Sequence, residues 1–296
     1  MLGRGGMGEV YRADDLQLGQ SVALKFLPAK VAADPVVLDR FRSEVRTARG
    51  VTHPNVCRIH DIGEDKGHVF LSMEYVDGED LASVLSRLGR PTQEKALQIA
   101  RQICLGLAAI HDAGVVHRDL KPANIMIDGR GNVRLMDFGI AAIQADTKVV
   151  AEMAGTPGYM APEILKGGQA SVRSDLYALG LVLYETYTGK KAYEETDLRK
   201  LMDRPGTTTP SAPSSWVADM DPLAERAILH CLEPEPSRRP ASAYALLAML
   251  PGGDPLAAAL QAGQTPSPEM VAAAPRTRRR SAPAPPPWPW AESSPG

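Results

Sequence analysis

The chain has 296 residues, of which 44% are hydrophobic, and its formal net charge is −2. This composition supports a packed globular core, the length allows about two domains, and the near-neutral charge argues against a nucleic-acid partner. The three cysteines are widely separated, so we expect free buried thiols in a cytoplasmic protein and no disulfide or zinc framework. The sequence contains no apolar run of about 18 residues, and we therefore predict no membrane span.

The first 77 residues predict a small, mainly β unit with one helix. Its predicted elements are a loop at Gly3–Gly8, strands at Val22–Phe26 and Val69–Tyr75, and a helix at Leu38–Arg49. The helix is predicted because Leu38, Phe41 and Val45 recur at spacings of three and four residues. Asp77-Gly78 is a turn dipeptide, and we place the boundary of this unit there.

Residues 78–250 predict a larger, mainly helical unit. Its predicted elements are helices at Leu97–Ile110, Leu176–Tyr187, Leu223–Leu232 and Ala243–Leu250, and a β-hairpin of Ile125–Ile127 with Val133–Leu135. In residues 251–296 we expect one short helix, Leu256–Gln261, and then a basic tail rich in Pro, Ala and Ser. The composition of that tail predicts disorder, because it cannot bury a core.

The most informative segment runs from His117 to Asn124 and is followed by Asp137-Phe138-Gly139. Asp119 is a candidate base for a substrate hydroxyl, and the oxygens of Asn124 and Asp137 are ligands that suit Mg²⁺. Phosphoryl transfer depends on positioning and on charge neutralisation, which these residue types supply. The segment therefore predicts a phosphotransferase site.

A glycine-rich stretch near the N-terminus predicts a phosphate-binding loop. Gly3, Gly5 and Gly8 have the spacing G-x-G-x-x-G, which dinucleotide-binding folds and ordinary glycine-rich hairpins also contain. A dinucleotide-binding loop opens a helix after its last glycine, whereas the residues around Val10 have strand character. Lys25 on the next apolar strand favours a flap over a triphosphate, because an ordinary hairpin does not predict a lysine there.

Four features match the protein kinase signature set in their order along the chain. They are the glycine-rich stretch, Lys25, the His117–Asn124 segment and Asp137-Phe138-Gly139. The chain resembles the eukaryotic-like (Hanks-type) serine/threonine protein kinases of bacteria. The resemblance implies an α+β, two-lobed protein kinase fold, with ATP and Mg²⁺ as cofactors. It further implies transfer of the ATP γ-phosphate to Ser or Thr hydroxyls of protein substrates, with autophosphorylation, self-association and a signalling role.

The resemblance assigns roles to the residues around the phosphates. Lys25 holds the α- and β-phosphates and pairs with Glu44, while Lys121 reaches the γ-phosphate and is typical of serine/threonine enzymes. His117 is structural and packs its ring beneath Phe138. The alternatives are a solvated surface lysine at position 25 and an ordinary helix acid at position 44.

The resemblance also implies a binding site for adenine. Backbone groups of Glu74 and Val76 hydrogen-bond the base, and Leu2, Val10 and Ala23 sandwich it. These three apolar residues are equally consistent with plain core packing.

Residues 137–163 correspond to the activation segment of the family. The resemblance implies that Glu163 pairs with Arg239 and braces this segment. It also implies that Asp175 anchors the backbone of the catalytic loop, with a helix N-cap as the simpler alternative.

Thr147 and Thr156 are the only Ser or Thr residues between Asp137 and Glu163. The family uses the position of Thr156 to contact the catalytic aspartate, so we predict Thr147 as the activating phosphosite. Arg118 is the residue that related kinases use to grip such a phosphate. The alternative is that Thr147 is an unmodified loop residue.

Two rivals stay open on the sequence alone. One is a weakly catalytic pseudokinase scaffold, because the chain begins one residue before Leu2 and we expect a truncated first strand. The other is a small-molecule phosphotransferase, which Lys121 and the ending Ala161-Pro162-Glu163 disfavour. We also expect a cytoplasmic catalytic domain, whose membrane anchor is missing if the chain is a fragment.

Overall fold

The computed structural model describes residues 1–5, 8–138, 157–193 and 210–254. Several predicted features lie outside these residues: Thr147, Thr156, the helix Leu256–Gln261 and the tail. The described residues form a small lobe built on a β-sheet and a larger helical lobe, which confirms the predicted two-lobed α+β fold. Among the helices they contain, none is both long and apolar enough to cross a membrane.

The small lobe is a five-stranded antiparallel sheet with one long helix. In the spatial order β1-β2-β3-β5-β4, the strands are β1 (Gly3–Gly5), β2 (Gly8–Asp15), β3 (Gln20–Phe26), β5 (His68–Glu74) and β4 (Ile59–Asp65). The helices are a single turn, α1 (Ala29–Ala32), and the longer α2 (Pro35–Ala48). Asp34 caps α2 by accepting hydrogen bonds from two backbone N–H groups of its first turn. Phe41 and Val45 form the buried face of α2, as their spacing predicts.

The prediction of a loop from Gly3 to Gly8 is wrong, because most of this stretch is a β-hairpin. β1 pairs with β2 in the register Gly3↔Val10 and Gly5↔Gly8, and residues 6–7 lie outside the described part. Strands are predicted from side chains that alternate with a period of two residues, and glycine has no side chain. The sequence therefore gives no sign that β1 pairs with β2. Gly8 has φ of +112°, and a Cβ there would lie 1.9 Å from the carbonyl oxygen of Phe26.

The large lobe is mainly helical and carries a small sheet. Its helices are α3 (Leu81–Leu88), α4 (Gln93–Asp112), α5 (Pro162–Leu165), α6 (Val172–Thr188), α7 (Pro222–Cys231) and α8 (Ala243–Met249), and its strands are β6 (Gly78–Asp80), β7 (Ile125–Asp128) and β8 (Val133–Leu135). Helix α6 is buried along most of its length, and α4 and α7 pack against it. The sequence did not predict α3, and Gly78 begins a strand rather than completing a turn.

The cysteines are buried and free, as predicted. Cys57, Cys104 and Cys231 have no disulfide partner. Burial raises the pKa of all three thiols, so they stay protonated at neutral pH. They serve as small apolar residues in the core.

Gly106 permits the close approach of α4 to the chain segment that leads into β4. A Cβ at position 106 would lie 2.6 Å from the backbone oxygen of Asn55, whose side chain already donates to Gln102 and to the carbonyl of Val133. We expect Gly106→Ala to lower the free energy of unfolding by about 1–3 kcal/mol, because this segment cannot move without losing those bonds. Chemical denaturation measures the change. Gly129→Ala is the control, since a Cβ there meets nothing within 4 Å, and equal losses for both variants would contradict this account.

Candidate active site

The catalytic loop lies between α4 and β7, and a buried carboxylate of α6 holds it in place. Asp175 accepts hydrogen bonds from the backbone N–H groups of His117 at 2.7 Å and Arg118 at 2.9 Å. The Nε2 atom of His111, near the end of α4, lies 2.8 Å from the same carboxylate. Only 1% of Asp175 is exposed, so water does not compete for these contacts. The predicted contacts between Asp175 and the loop backbone are therefore present.

The N-cap role, considered as an alternative for Asp175, belongs to another residue. Ser171 caps α6 by accepting a hydrogen bond from the backbone of Ser174, and the Ser174 side chain accepts one from the backbone of Ser171 in return. Asp175 follows in the first turn of the helix, from where its side chain reaches the catalytic loop. His111 was not predicted, because a lone histidine near a helix end carries no pattern that links it to a carboxylate 64 residues away.

Two polar side chains converge on Asp119. The Nζ atom of Lys121 lies 2.8 and 3.1 Å from the two carboxylate oxygens of Asp119. The side-chain amide of Asn124 donates to the same carboxylate at 2.9 Å and to the backbone oxygen of Asp119 at 2.7 Å. A turn of 3₁₀-helix at Pro122–Asn124 brings Asn124 back toward the aspartate. The spacing in the sequence thus becomes a compact cluster.

Lys25 joins the small lobe to the site. Its Nζ atom lies 2.7 Å from the Oδ2 atom of Asp137. Burial acts to raise the pKa of Asp137, but the charge and hydrogen bond of Lys25 outweigh it and hold that pKa below its ordinary value. Asp137 is therefore ionised at neutral pH, as a metal ligand must be. Its φ of +58° is uncommon for a residue other than glycine and is typical of a functional position.

The predicted pair between Lys25 and Glu44 is not formed among the described residues. Instead, the Nη1 atom of Arg118 donates to both carboxylate oxygens of Glu44, at 3.0 and 3.2 Å. The physical reason is the position of α2, which brings Glu44 to Arg118 of the catalytic loop, while Asp137 is the carboxylate that pairs with Lys25. The structure therefore corrects the predicted partner of Glu44.

His117 occupies a structural position beside Phe138, as expected. The two ring centroids are 6.5 Å apart, and the His117 ring is completely buried. Burial lowers the pKa of His117, and the carboxylates of Asp175 and Asp119 oppose this effect without overcoming it. Its ring is therefore uncharged at neutral pH, which suits a side chain packed under the loop.

The predicted nucleotide residues line up across the small-lobe sheet. Gly3 pairs with Val10, and Val10 pairs with Lys25 in the next strand. Ala23 is buried on the same strand as Lys25. The hairpin that carries Gly3, Gly5 and Gly8 is therefore next to the strand of Lys25 in the sheet.

Glu74 and Val76 differ in how the fold uses them. The backbone N–H of Glu74 donates to the carbonyl of Arg58 at 2.9 Å, and its carboxylate accepts from the N–H of Arg58 at 3.2 Å. Val76 makes no hydrogen bond to another described residue. Glu74 thus has a structural role in addition to the one predicted for its backbone.

The predicted brace between Glu163 and Arg239 is present. Two nitrogens of the Arg239 guanidinium donate to the two oxygens of Glu163, at 2.7 and 2.8 Å. The Arg239 side chain is 0% exposed and also donates to the backbone oxygens of Glu233, Pro234 and Arg173. The pair therefore ties the end of the activation segment to the loop that follows α7.

A cleft of about 410 Å³ opens beside Lys121, between α3 and the end of α6. Leu85 and Ala123 line it, together with Glu185 and Tyr159. The Tyr159 hydroxyl donates to the Glu185 carboxylate, and burial together with this bond raises the pKa of Tyr159. Sequence reasoning missed this pair, because nothing in the spacing of the two residues relates them.

Comparison with known proteins identifies the class. Residues 1–249 match the protein kinase domain family, and the chain belongs to it. Its relatives include serine/threonine-protein kinase pkn3 of Myxococcus xanthus, which is 39% identical over 267 residues, covering 86% of this chain and 49% of pkn3. Serine/threonine-protein kinase PknE of Mycobacterium tuberculosis is 40% identical over 227 residues, covering 74% of this chain and 40% of PknE. The chain thus spans half or less of the length of these curated relatives.

Solved structures agree with this family. The crystal structure of the Mycobacterium tuberculosis PknI kinase domain matches with a TM-score of 0.67 and 28% sequence identity. The match covers 89% of this chain and 94% of that domain. The chain is therefore a protein kinase domain of the type found in bacterial serine/threonine kinases, and its family implies ATP as the phosphate donor.

We expect Glu163→Gln to destabilise the large lobe. The variant leaves the Arg239 guanidinium buried without its counter-charge, which typically costs about 3–5 kcal/mol. Arg87→Gln is the control, because it breaks an ion pair with Glu79 in which both side chains are about half exposed, and such pairs contribute less than about 1 kcal/mol. Urea denaturation compares the two, and a loss for Glu163→Gln no larger than for Arg87→Gln would contradict the structural role of the brace.

Proposed function

We propose that the chain is a serine/threonine protein kinase, which transfers the γ-phosphate of ATP to Ser or Thr hydroxyls of proteins. The observation that carries this proposal is a pair of carboxylates, Asp119 and Asp137, each of which is paired with a lysine. In this proposal, Asp119 acts on the acceptor, and Asp137, which is ionised, is the metal ligand. The pseudokinase alternative lacks a comparable observation, because each catalytic position named from the sequence carries the residue type that transfer requires.

Asn124 and Asp137 fit a magnesium ion. Asp137 is ionised, and the amide nitrogen of Asn124 is turned toward Asp119, which leaves its oxygen as an acceptor. Proteins usually bind Mg²⁺ through one or two such oxygens, with phosphates and waters completing the shell. When bound, the ion neutralises negative charge on the phosphates.

The remaining residues position the reactants. Asp119 orients the acceptor hydroxyl and takes its proton. Lys121 lies beside it, where its ammonium also compensates the charge of the transferred group. Lys25 holds the α- and β-phosphates under the hairpin that carries Gly8, and the backbone groups of Val76 are left for the adenine base.

The cleft beside Lys121 favours a protein acceptor over a small molecule. It extends from the catalytic loop along α3 to the end of α6, which gives room for several residues of an extended chain. A small acceptor needs only the immediate surroundings of Asp119. We propose that the acceptor segment lies in this cleft.

We also propose that the two lobes close over the nucleotide. The small lobe is residues 1–77, and the large lobe is residues 78–250. Three further points stay predictions: phosphorylation of Thr147, self-association and a cytoplasmic location.

We expect Asp119→Asn to lower the rate of transfer by about a hundredfold or more, because the base is lost while the groups that bind ATP stay. Incubation with labelled ATP and Mg²⁺, with and without a generic basic protein, measures the rate. Isothermal titration with ATP supplies the control, since affinity should stay close to that of the wild type. If the variant keeps most of the wild-type turnover, Asp119 is not the base.

We expect Lys25→Met and Asp137→Ala to abolish transfer for different reasons. The first removes a cation that positions phosphates, and the second removes a metal ligand. Raising the Mg²⁺ concentration should therefore restore part of the rate of Asp137→Ala and none of the rate of Lys25→Met. Equal rescue of both variants by Mg²⁺ would be incompatible with these separate roles.

A further inference from the structure

A contact between two side chains joins strand β2 to the segment that connects the two lobes. The guanidinium of Arg12 on β2 lies over the ring of Tyr75, with its Cζ atom 4.9 Å from the ring centroid. We propose that Arg12 and Tyr75 are positioning residues, which hold the adenine pocket in the shape that binds the nucleotide. The proposal rests on the proposed function, because it concerns the same nucleotide site.

The register of the sheet places Arg12 on the face that carries the predicted nucleotide residues. Val10 is opposite Lys25, and Arg12 is opposite Ala23. Residues that are directly opposite in an antiparallel pair project from the same face, and so do alternate residues of one strand. Lys25 contacts Asp137 of the active site from this face. Arg12 therefore projects from the face of the sheet that is turned toward the active site.

Tyr75 lies on the other side of the proposed adenine pocket. It follows the last residue of β5 and directly precedes Val76, whose backbone groups are left for the base in the proposed function. Arg12 is two residues beyond Val10, which is predicted to cover the base. The contact between Arg12 and Tyr75 thus links the two segments between which the base is expected to bind.

Other side chains hold Arg12 in place for this contact. Its Nε and Nη2 atoms donate to the hydroxyl of Ser21 on β3, at 3.3 and 3.0 Å. The Ser21 hydroxyl donates in turn to the carboxylate of Asp14, at 2.9 Å. A planar guanidinium that is already fixed along one edge loses little further freedom when it stacks on a ring. The orientation of Arg12 is therefore set by the sheet and not by the ring alone.

The contact should act on nucleotide affinity and not on the chemical step. Neither Arg12 nor Tyr75 belongs to the loop that carries Asp119. Without the contact, the pocket adopts other shapes for part of the time, and the apparent affinity falls with the fraction that is competent to bind. An exposed cation–π contact changes an equilibrium constant by about two- to fivefold, so we expect a loss of affinity of that size.

A direct attraction between Arg12 and the phosphates is the competing explanation. Such an attraction acts on ATP and not on adenosine, which carries no phosphate. A pocket that is held in shape by Arg12 and Tyr75 affects both ligands equally, because both contain the base. The effect on adenosine therefore separates the two explanations.

The test is a double-mutant cycle, measured by titration calorimetry on the full chain. All proteins carry Asp119→Asn to suppress transfer, and the affinity for adenosine is measured by its competition with ATP. We expect Arg12→Gln to weaken the binding of ATP with Mg²⁺ and of adenosine alike, by about two- to fivefold. The same loss should occur in a Tyr75→Phe background, which keeps the ring, and none should occur in a Tyr75→Leu background, which removes it.

Two further variants complete the design. Arg42→Gln is the matched control, because Arg42 is an exposed arginine of the same lobe that pairs with Asp39 at 3.6 Å on α2. It should leave both affinities unchanged. Arg12→Lys keeps the charge without the planar group, so we expect a loss of the same sign and of smaller size. This variant also tests the proposal if Arg12→Gln fails to fold.

The proposal is overturned if Arg12→Gln weakens the binding of ATP but not of adenosine, or weakens neither. It is equally overturned if the loss is the same in the Tyr75→Leu background, or if Arg12→Lys leaves both affinities unchanged.

Transfer by the chain with its native Asp119 is assayed separately. There, Arg12→Gln should raise the KM for ATP and leave kcat unchanged, and a lower kcat at an unchanged KM also overturns the proposal. The cycle can succeed while transfer is absent, which refutes the kinase function and keeps the role of Arg12 and Tyr75. It can also fail while transfer is present, which does the reverse.

Discussion

The catalytic site depends on the carboxylate of Asp175, which lies almost completely buried at the start of α6. It accepts hydrogen bonds from two successive backbone N–H groups, those of His117 and Arg118, and contacts the ring of His111. These hydrogen bonds are stronger than they would be in water, because the surrounding core excludes competing water. The loop that carries Asp119, Lys121 and Asn124 is thereby tied to the most buried helix of the large lobe.

From that anchor, the site is built as a set of charges that neutralise one another. Lys121 is paired with Asp119, Lys25 with Asp137, and Arg118 with Glu44. Pairing of this kind lowers the cost of keeping ionised groups partly buried.

Residue identities and their order predicted most of the site, whereas their partners were harder to predict. The cluster at Asp119 follows from local spacing, because a single turn brings Asn124 back to it. The pairs of Glu163 with Arg239 and of Asp175 with the loop came from resemblance alone, since they join residues far apart in the chain. The partner of Glu44 was wrong, because the position of α2 relative to the large lobe has no signal in the sequence. The glycine-rich hairpin was predicted as a loop for a local reason. Glycine has no side chain, so the alternation that indicates a strand is absent from this stretch.

The measurement that tests the anchor most directly is hydrogen exchange on Asp175→Asn, combined with its rate of phosphate transfer. The amide keeps the size of the carboxylate but can accept only with its oxygen, so one backbone N–H loses its partner. The account predicts faster exchange of whichever amide, that of His117 or that of Arg118, loses its acceptor, and a transfer rate lower by about a hundredfold, with ATP affinity retained. Unchanged exchange at both amides together with a wild-type rate would contradict it.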